Sequence, residues 1–273
     1  QSRRKKIRKN LMSFIDQIGH SISLKEFPSR IISLVPSQTE YLHYLGLEKE
    51  VLGITKFCIH PHDWFKTKTR IGGTKTVDIE KIRSLNPDLI LANKEENTQE
   101  IIQSLQAEFN TWTSDVIEIK DALEMLLSVG KMTGKENKAV HLVQELKKDL
   151  ALIQSTVQHP SFIYLIWKDP IMAVGSNTFI NSVLTMAGFQ NALEHTTRYP
   201  SLTIEEIQKI APNFLFCSSE PFPFKEEHIN AFQAQLPNTK VVSIDGEICS
   251  WYGNRMLKIK DYFLNMKRQL SII

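Results

Sequence analysis

The stretch VDIEKIRSLNPDLILA (residues 77–92) has a second, altered copy in the same chain, LTIEEIQKIAPNFLFC (residues 202–217). The copies share identical residues and end in similar apolar runs, and the matched pairs are Ile79 with Ile204, Glu80 with Glu205, Ile82 with Ile207, and Pro87 with Pro212. An internal repeat of this kind predicts two copies of one structural unit.

Each copy predicts a helix that leads into a buried strand. Asp78 and Thr203 are the predicted N-cap residues, and each is followed by a carboxylate in the first turn, where the helix dipole favours it. Apolar side chains then recur at helical spacing, and a proline ends the helix. The apolar run after the proline is typical of a buried parallel strand, so each copy is half of a βαβ unit.

A second pair of similar segments lies upstream of the first. SQTEYLHYLG (37–46) follows IISLV (31–35), and SNTFINSVLTMAG (176–188) follows IMAV (171–174). Each pair predicts a strand, a Ser or Thr helix cap, and a helix that ends near a glycine. Four further segments are predicted as strands: VLGIT (51–55), VIEI (116–119), SFIYLIW (161–167) and KVVSI (240–244).

These patterns predict an α/β protein with two similar α/β lobes, each with a parallel-rich central sheet, bridged by one long rigid helix. Residues 121–157 contain no proline and are rich in helix formers, and a helix from Glu136 to Val157 would extend about 33 Å. The predicted divisions are a basic N-terminal tail and lead-in at 1–27, an N-terminal lobe at 28–120, a bridging helical segment at 121–159 and a C-terminal lobe at 160–273.

Composition excludes several classes of protein. No apolar run approaches the roughly 20 residues that span a bilayer. The first ten residues hold six basic side chains and no acid, and without them the net charge changes from +3 to −3. The remaining basic residues are dispersed, so the chain does not fit a nucleic-acid binder. The three cysteines are far apart and odd in number, which does not indicate a disulfide framework.

The basic N-terminus is predicted to be a disordered tail. No apolar stretch follows it, so no signal peptide is visible in this chain. A remnant left after cleavage, or sequence upstream of a start at Met12, stays open as an alternative.

Several motifs, in this order, resemble one family of proteins. They are RIISLVPSQTEYLHYLGL, VLGITKFCIHP, RIGGTKTVDIEKIRSLNPDLILA and VGSNTFINSVLTMAGFQNAL. From about Pro28 to Leu270 the chain resembles the helical-backbone (class III) substrate-binding proteins of ABC importers, which take up cobalamin, haem, ferric siderophores or metal ions. The block around residues 71–92 and SWYGNRM (250–256) are most similar to the cobalamin-binding branch.

The resemblance implies a ligand cleft between two lobes, no enzymatic activity, and a location in the periplasm or anchored to a membrane outside the cytoplasm. It implies that one glutamate on each lobe docks onto the ABC permease, and the motif positions of these glutamates are Glu80 and Glu205. The alternative reading is that each carboxylate only complements a helix N-terminus. The expected partners are the permease subunits and a small-molecule ligand, and the expected state is a monomer.

In open α/β sheets ligands bind outside the carboxyl ends of the strands. The predicted ligand-binding residues follow those ends: Ser37, Gln38, Thr39, Phe57, Cys58, His60, Trp64, Asn93, Lys94, Trp167, Ser218, Glu220, Phe222, Trp251 and Tyr252. Three of the four tryptophans are in this set, which favours a large, flat, mostly apolar ligand such as a corrin or a porphyrin. Trp167 as a core residue, and SWYGNRM as a turn with a solvated Arg255, remain alternatives.

The segment KFCIHPHDWF (56–65) is an elaboration of the first lobe. The interval from Thr39 to Glu80 is 41 residues and that from Thr178 to Glu205 is 27, and the extra 14 residues fall in this region. Elaborated loops carry function more often than core does. The segment is therefore predicted to form the rim of the ligand site.

Cys58, His60 and His62 also raise the question of a metal site. Structural zinc takes four ligands, usually in separated pairs, and no second pair is present. The second lobe offers only three candidate ligands for a shared ion, His195, Glu220 and Asp245. No free-ion site is therefore predicted, and His60 is a possible axial ligand to the metal of a bound macrocycle, while Trp64 would cover the face of that macrocycle.

The function predicted from the sequence is delivery of a corrinoid, such as cobalamin, to an ABC importer. Haem, a ferric siderophore or a metal ion are alternative ligands for the same fold. An intracellular corrinoid-handling or metal-handling protein is a further alternative. No cofactor is expected as a catalyst, because no nucleophile turn or acid/base pair is legible.

Overall fold

The computed structural model describes residues 11–153 and 159–272, which form two α/β units. Of the described residues, the first unit contains those up to Asp115 together with Glu124–His141, and the second contains Val116–Leu123 and those from Leu142 onward. The predicted basic tail at 1–10 lies outside the described residues. The domain boundaries expected from the sequence stay a prediction.

The first unit is built on a five-stranded sheet in which every paired neighbour is parallel. Its order is β5-β4-β3-β8-β9. The strands are β3 (Ile31–Ser33), β4 (Val51–Ile54), β5 (Thr69–Arg70), β8 (Leu89–Asn93) and β9 (Thr111–Ser114). The other elements are the hairpins β1 (Met12–Ile15)–β2 (Ser21–Leu24) and β6 (Gly72–Gly73)–β7 (Thr76–Val77), and the helices α1 (Pro36–Leu45), α2 (His62–Thr67), α3 (Ile79–Leu85) and α4 (Gln99–Glu108).

The predicted strand VIEI (116–119) is wrong. The strand of this region is β9, Thr111–Ser114, and all four of its residues are buried. Three of these four residues are polar, so the segment does not look like a buried strand. Trp112 is nevertheless fully buried, and the backbone N–H of Thr113 donates to the Asp16 carboxylate at 3.1 Å. A carboxylate from the hairpin β1–β2 thus satisfies a buried backbone donor, which no local pattern indicates.

The second unit contains a six-stranded mixed sheet with the main order β13-β11-β10-β14-β15. Strand β10 (Ser161–Trp167) pairs in parallel with β14 (Phe214–Ser218) and with the short β12 (Gln190–Asn191), while β14 pairs in parallel with β15 (Lys240–Ile244). Strand β11 (Ile171–Ala173) pairs antiparallel both with β10 and with the edge strand β13 (Ser201–Leu202). The helices are α7 (Phe179–Met186), α8 (Ile204–Ile210), α9 (Glu226–Gln235), α10 (Gly246–Ser250) and α11 (Ile259–Gln269), with a 3-10 turn at Asn254–Lys258 before the last.

The repeat predicted from the sequence has the same structure in both units. The side chain of Asp78 caps α3 and that of Thr203 caps α8, each by accepting a backbone N–H three residues on. Both helices end at a residue in the left-handed conformation, Asn86 with φ 44° and Ala211 with φ 47°. A proline follows each of these residues and a fully buried strand comes next, so the helix-to-strand prediction is confirmed.

The helical segment after residue 120 contains a break before Glu136, and the helix predicted from Glu136 begins at that residue. Two helices occupy it, α5 (Ile119–Met132) and α6 (Glu136–Ala151). The break falls at Gly134, whose φ of +70° is in the region that glycine tolerates. The predicted continuation of α6 is wrong at Leu152, which is in a turn, and residues 154–157 lie outside the described residues. No helix in the described ranges is long and apolar enough to cross a membrane.

Candidate functional site

The carboxyl end of the first sheet is held together by buried polar side chains. Gln38 Nε2 donates to Ser114 Oγ at 2.6 Å, and Asn93 Nδ2 donates to the same oxygen at 3.0 Å. Asn93 Oδ1 accepts the backbone N–H groups of Glu95 and Glu96 at 2.9 and 3.0 Å. Gln38 and Asn93 were predicted ligand contacts, and the structure uses these bonds to fix the loops that follow the strands.

Three more predicted contacts are buried in the same region. Ser37 and Thr39 lie in the first turn of α1, and neither caps the helix, because Val35 is the N-cap and has no capping side-chain bond. Thr39 Oγ1 bonds to Cys58 Sγ at 3.1 Å, and Thr55 lies at the same distance from that sulfur. Burial raises the pKa of the Cys58 thiol. A protonated, buried thiol packs as a small apolar side chain and is a poor metal ligand.

Trp64 requires a correction to the prediction that it covers a ligand. It lies on α2 and is only 3% exposed. Its ring meets His43 edge-on at 5.3 Å between centroids, and Lys68 Nζ lies 5.1 Å from its centroid. The helix turns this ring into the interior of the first unit, so Trp64 supports the rim segment and does not line its surface.

The rim of the first unit is apolar at two exposed positions around Cys58. Phe57 is 50% exposed and Ile59 is 44% exposed, and Lys56 Nζ lies over the Phe57 ring at 5.1 Å. His60 is half-buried. Ile59 was not among the predicted contacts, and because Phe57, Cys58 and Ile59 are all apolar, no pattern in the sequence separates the exposed side chain of Ile59 from the buried one of Cys58.

Lys94 lies at the end of β8, where its ammonium group forms an ion pair with Asp115 at 2.5 Å. Its side chain is 59% exposed. Lys94 therefore stands at the surface of the carboxyl end of the first sheet, as predicted from its position after the strand.

Two aromatic side chains form a surface at the carboxyl end of the second sheet. Trp167 is 41% exposed, and its ring meets Phe222 at 5.6 Å between centroids with an interplanar angle of 69°. Trp167 Nε1 donates to the backbone oxygen of Asp169 at 3.1 Å, and Phe222 packs on Phe224 at 4.8 Å. The structure therefore brings together two predicted contacts, and the alternative of Trp167 as a core residue is not realised.

Glu220 is held beside this aromatic pair by two donors. Its Oε1 accepts from Ser250 Oγ at 2.8 Å and from Trp251 Nε1 at 2.9 Å. Ser218 Oγ donates to the backbone oxygen of Glu220 at 2.5 Å and is itself bonded to Tyr164 at 2.9 Å. Burial raises the pKa of Glu220; the bonds from Ser250 and Trp251 act in the opposite direction.

Trp251 and Tyr252 do not have the exposure that was predicted. They are 8% and 7% exposed; Trp251 packs under the Arg255 guanidinium at 4.6 Å, and Tyr252 packs against Phe179 at 5.7 Å. Arg255 is itself 7% exposed and bonds to Glu247 at 2.5 Å, so the alternative of a solvated Arg255 is also wrong. These side chains build the support behind Glu220.

Two of the candidate metal ligands, Asp245 and His195, each bond to a residue nearby in the chain. Asp245 caps α10 by accepting the N–H of Ile248 at 3.1 Å, and His195 pairs with Glu194 at 3.4 Å. Within the described residues, no group of three or more His, Cys, Asp and Glu side chains is arranged to hold a metal ion.

Glu80 and Glu205 occupy equivalent positions in the first turns of α3 and α8, and both are exposed. The Glu80 carboxylate is 81% exposed and is bound by Arg83, which also binds Glu108 at 2.5 Å. A bond from its own backbone N–H lowers the pKa of Glu205, as does a bond with Thr203. The Glu205 carboxylate is thus exposed and complements the N-terminus of α8, while the capping box of that helix is formed by Thr203 and Glu206.

A cavity of about 440 Å³ lies elsewhere in the second unit. Asn181, Gln190 and Glu194 are among its lining residues, and Gln190 pairs with Ser161 at the start of β10. The cavity is therefore at the amino end of the sheet. None of the predicted contacts lines it.

Known proteins resemble this chain over most of its length. Residues 31–243 match the sequence profile of the family described as "Periplasmic binding protein". An uncharacterized ABC transporter substrate-binding lipoprotein of Bacillus subtilis is 31% identical over 209 residues, which are 72% of this chain and 66% of that protein. The vitamin B12-binding protein of Vibrio cholerae serotype O1 is 28% identical over 226 residues, 80% of this chain and 81% of that protein.

Solved structures show the fold. The periplasmic vitamin B12 binding protein BtuF of Vibrio cholerae superposes with a TM-score of 0.77 at 22% identity, over 90% of this chain and 98% of that chain. Periplasmic haem-binding proteins from several bacteria share the fold at TM-scores of 0.72 to 0.73 and identities of 19 to 20%.

Proposed function

Because the chain belongs to the periplasmic binding protein family, we propose that it is the substrate-binding component of an ABC importer and that its ligand is a corrinoid. The observation that carries the ligand class is the exposed ring of Trp167, with the half-buried ring of Phe222 against it, at the carboxyl end of the second sheet. Aromatic faces bury large areas of a flat ligand at little entropic cost. The vitamin B12-binding relative supports the choice of a corrin among flat ligands.

The proposed contacts are the surface groups among the residues at the strand ends. In the second unit these are Trp167, Phe222 and the carboxylate of Glu220. In the first unit they are Phe57 and Lys94, to which the structure adds Ile59. The buried residues Ser37, Gln38, Thr39, Cys58, Trp64, Asn93, Ser218, Trp251 and Tyr252 have a supporting role in this proposal.

His60 lies on the rim and can ligate a metal through a neutral imidazole. We propose that it approaches the cobalt of the bound corrin. Imidazole ligation changes the visible absorption of the metal centre, so the spectrum of the complex should differ between the wild type and His60→Ala. Identical spectra at saturation would contradict axial ligation and leave the remainder of the proposal intact.

Glu80 and Glu205 are proposed to dock the protein on its permease. Glu80→Ala with Glu205→Ala is expected to leave ligand affinity unchanged and to abolish uptake in cells. Glu100→Ala is the matched control, because Glu100 is also exposed in the first turn of a helix. A bond from its own backbone N–H, and to a smaller extent a bond with Thr98, lowers the pKa of Glu100 in the same way as at Glu205. Normal uptake by the double variant would rule out docking through these carboxylates.

The first experiment is a titration of the purified protein with cobinamide and with cobalamin, followed by absorbance and tryptophan fluorescence. Saturable binding with quenching is expected, and Trp167→Phe should reduce the quenching. No change in absorbance or fluorescence with either corrinoid would refute the corrinoid proposal. Haemin belongs in the same experiment, because haem-binding proteins share the fold and a porphyrin also suits an aromatic surface.

The location proposed for the protein is outside the cytoplasm, in the periplasm or attached to a membrane. The relatives named as periplasmic or as lipoproteins support it. Fractionation of cells tests it directly: recovery in the cytoplasmic fraction would favour the alternative of an intracellular corrinoid-handling protein.

A further inference from the structure

Side-chain hydrogen bonds fix the backbone of the loop Ser218–Phe222. Ser218 bonds to both backbone groups of Glu220, and Ser219 Oγ accepts the N–H of Gly246 at 2.9 Å. A methyl group on Gly246 would lie 2.5 Å from Glu220 Cγ. The first residue of α10 is therefore in close contact with the Glu220 side chain, and its lack of a side chain is a condition for the observed position of that carboxylate.

The two oxygens of the Glu220 carboxylate differ in their surroundings. Oε1 has two donors, Ser250 Oγ and Trp251 Nε1. For Oε2, no hydrogen-bond or ion-pair partner is found in the part of the chain that the structure describes. Glu220 is half-buried, and a ligand that covers it and displaces water from Oε2 has to supply a donor in place of that water.

The charges around Glu220 are mostly negative. Asp245 and Glu247 lie close enough for their carboxylates to raise the pKa of Glu220, although burial is the largest cause. Arg255 is the buried cation of this group, and its guanidinium bonds to Glu247 at 2.5 Å. A ligand carboxylate placed at Oε2 would meet like charge, whereas a ligand amide or hydroxyl would supply the missing donor.

We propose that Glu220 Oε2 is a selectivity site that accepts a hydrogen bond from an uncharged donor on the ligand edge, and so selects macrocycles edged with amides over macrocycles edged with carboxylates. The aromatic pair Trp167–Phe222, which belongs to the same loop through Phe222, holds the apolar face of the same ligand. This inference rests on the proposed function, because it concerns the ligand of that site.

The substitution Glu220→Gln tests the site by exchanging the acceptor for a donor. The glutamine oxygen can accept from Ser250 and Trp251 as Oε1 does, and the amide nitrogen then takes the position of Oε2. Amide-edged corrins lose their acceptor in this variant, and carboxylate-edged corrins gain a donor and lose a like charge. The two affinities should therefore change in opposite directions.

The probes are dicyanocobinamide, whose corrin carries amides, and dicyanocobyrinic acid, in which the corresponding groups are carboxylic acids. Both are titrated at pH 8. The wild type should favour the amide probe, and Glu220→Gln should lower the ratio of the two affinities by about tenfold or more, as expected for one hydrogen bond to a charged group. Glu194→Gln, the same change at an exposed residue beside β12, should leave the ratio unchanged.

The outcomes separate this inference from the proposed function. If the wild type binds neither corrin, the corrinoid function fails and the inference fails with it. If the wild type binds the amide probe but the ratio is the same in Glu220→Gln, the inference is overturned and the corrinoid function stands. A wild type that binds both probes equally also overturns it, and this result does not depend on the folding of any variant.

Discussion

Gly246→Ala is the substitution for which the structure gives the sharpest expectation. Gly246 is the first residue of α10, and its φ is outside the left-handed region, so alanine is permitted by the backbone. The added methyl group would lie 2.5 Å from both Glu220 Cγ and Ser218 Oγ, and 2.9 Å from the backbone nitrogen of Glu220. Real side chains essentially never approach so closely, so the loop has to move.

Two opposing effects set the size of the change in stability. Inserting a methyl group into a packed contact costs about 1–3 kcal/mol. Alanine in place of glycine within a helix returns about 0.5–1 kcal/mol. The free energy of unfolding should therefore fall by about 1 kcal/mol and by at most about 2.5 kcal/mol, which corresponds to a decrease in Tm of roughly 2 °C and at most about 4 °C for a protein of this size.

The same movement displaces the Glu220 carboxylate, so affinity for dicyanocobinamide should fall by about tenfold, the value of one lost hydrogen bond. Stability is measured by thermal and urea denaturation, and affinity by absorbance titration. Gly130→Ala is the control: its methyl group would lie 2.3 Å from Ala139 Cβ in the first unit, so it perturbs packing at a site away from the Glu220 loop. Equal Tm and equal affinity for Gly246→Ala and the wild type would refute the close approach described here.

Two further predictions concern charge and burial. In the folded protein, burial raises the pKa of Glu220 above its ordinary value of 4.5, and the carboxylates of Asp245 and Glu247 add to this shift. The folded state therefore binds the Glu220 proton more tightly than the unfolded state does. The stabilisation from this proton is fully present below pH 4.5 and is lost as pH rises through the raised pKa. The free energy of unfolding of Glu220→Gln relative to the wild type should therefore be higher at pH 8 than at pH 4 in urea titrations, and a difference that does not change with pH would contradict this. Trp112→Ala should cost about 3–5 kcal/mol, because the ring is fully buried. Trp167→Ala, 41% exposed, should cost about 1 kcal/mol or less and remove most of the ligand-dependent quenching, and a stability loss as large as that of Trp112→Ala would show that its ring is core.

The repeated helix and strand could be predicted because their signals are local. A capping side chain, apolar residues at helical spacing and a proline all act within about ten residues, and the caps at Asp78 and Thr203 are where the sequence predicts them. The prediction of VIEI as a strand was wrong for the opposite reason. In the true strand, Thr111–Ser114, the Trp112 indole N–H donates to the backbone oxygen of Ile15, and the backbone N–H of Thr113 donates to the Asp16 carboxylate. Both acceptors lie 97 positions earlier in the chain.

The candidate site was predicted as a set of positions, and only part of that set has exposed side chains. Trp64 and Trp251 lie beyond predicted strands and Trp167 is the last residue of β10, yet the first two are buried and Trp167 is at the surface. Helix α2 turns Trp64 toward His43, and Glu220 bonds to the Trp251 indole. These orientations depend on partners 21 and 31 positions away, which spacing along the chain does not reveal.

The sequence by itself determined the α/β class and the duplicated helix-strand unit, and it predicted a ligand site at the ends of the strands. It could do so because periodicity, caps and breakers report on neighbours along the chain. Only the tertiary structure decided which of those side chains face outward, and which oxygen of Glu220 is already bonded. Burial and hydrogen bonding are set by residues that are close in space and distant in sequence, and these contacts exist only once the strands and helices have packed.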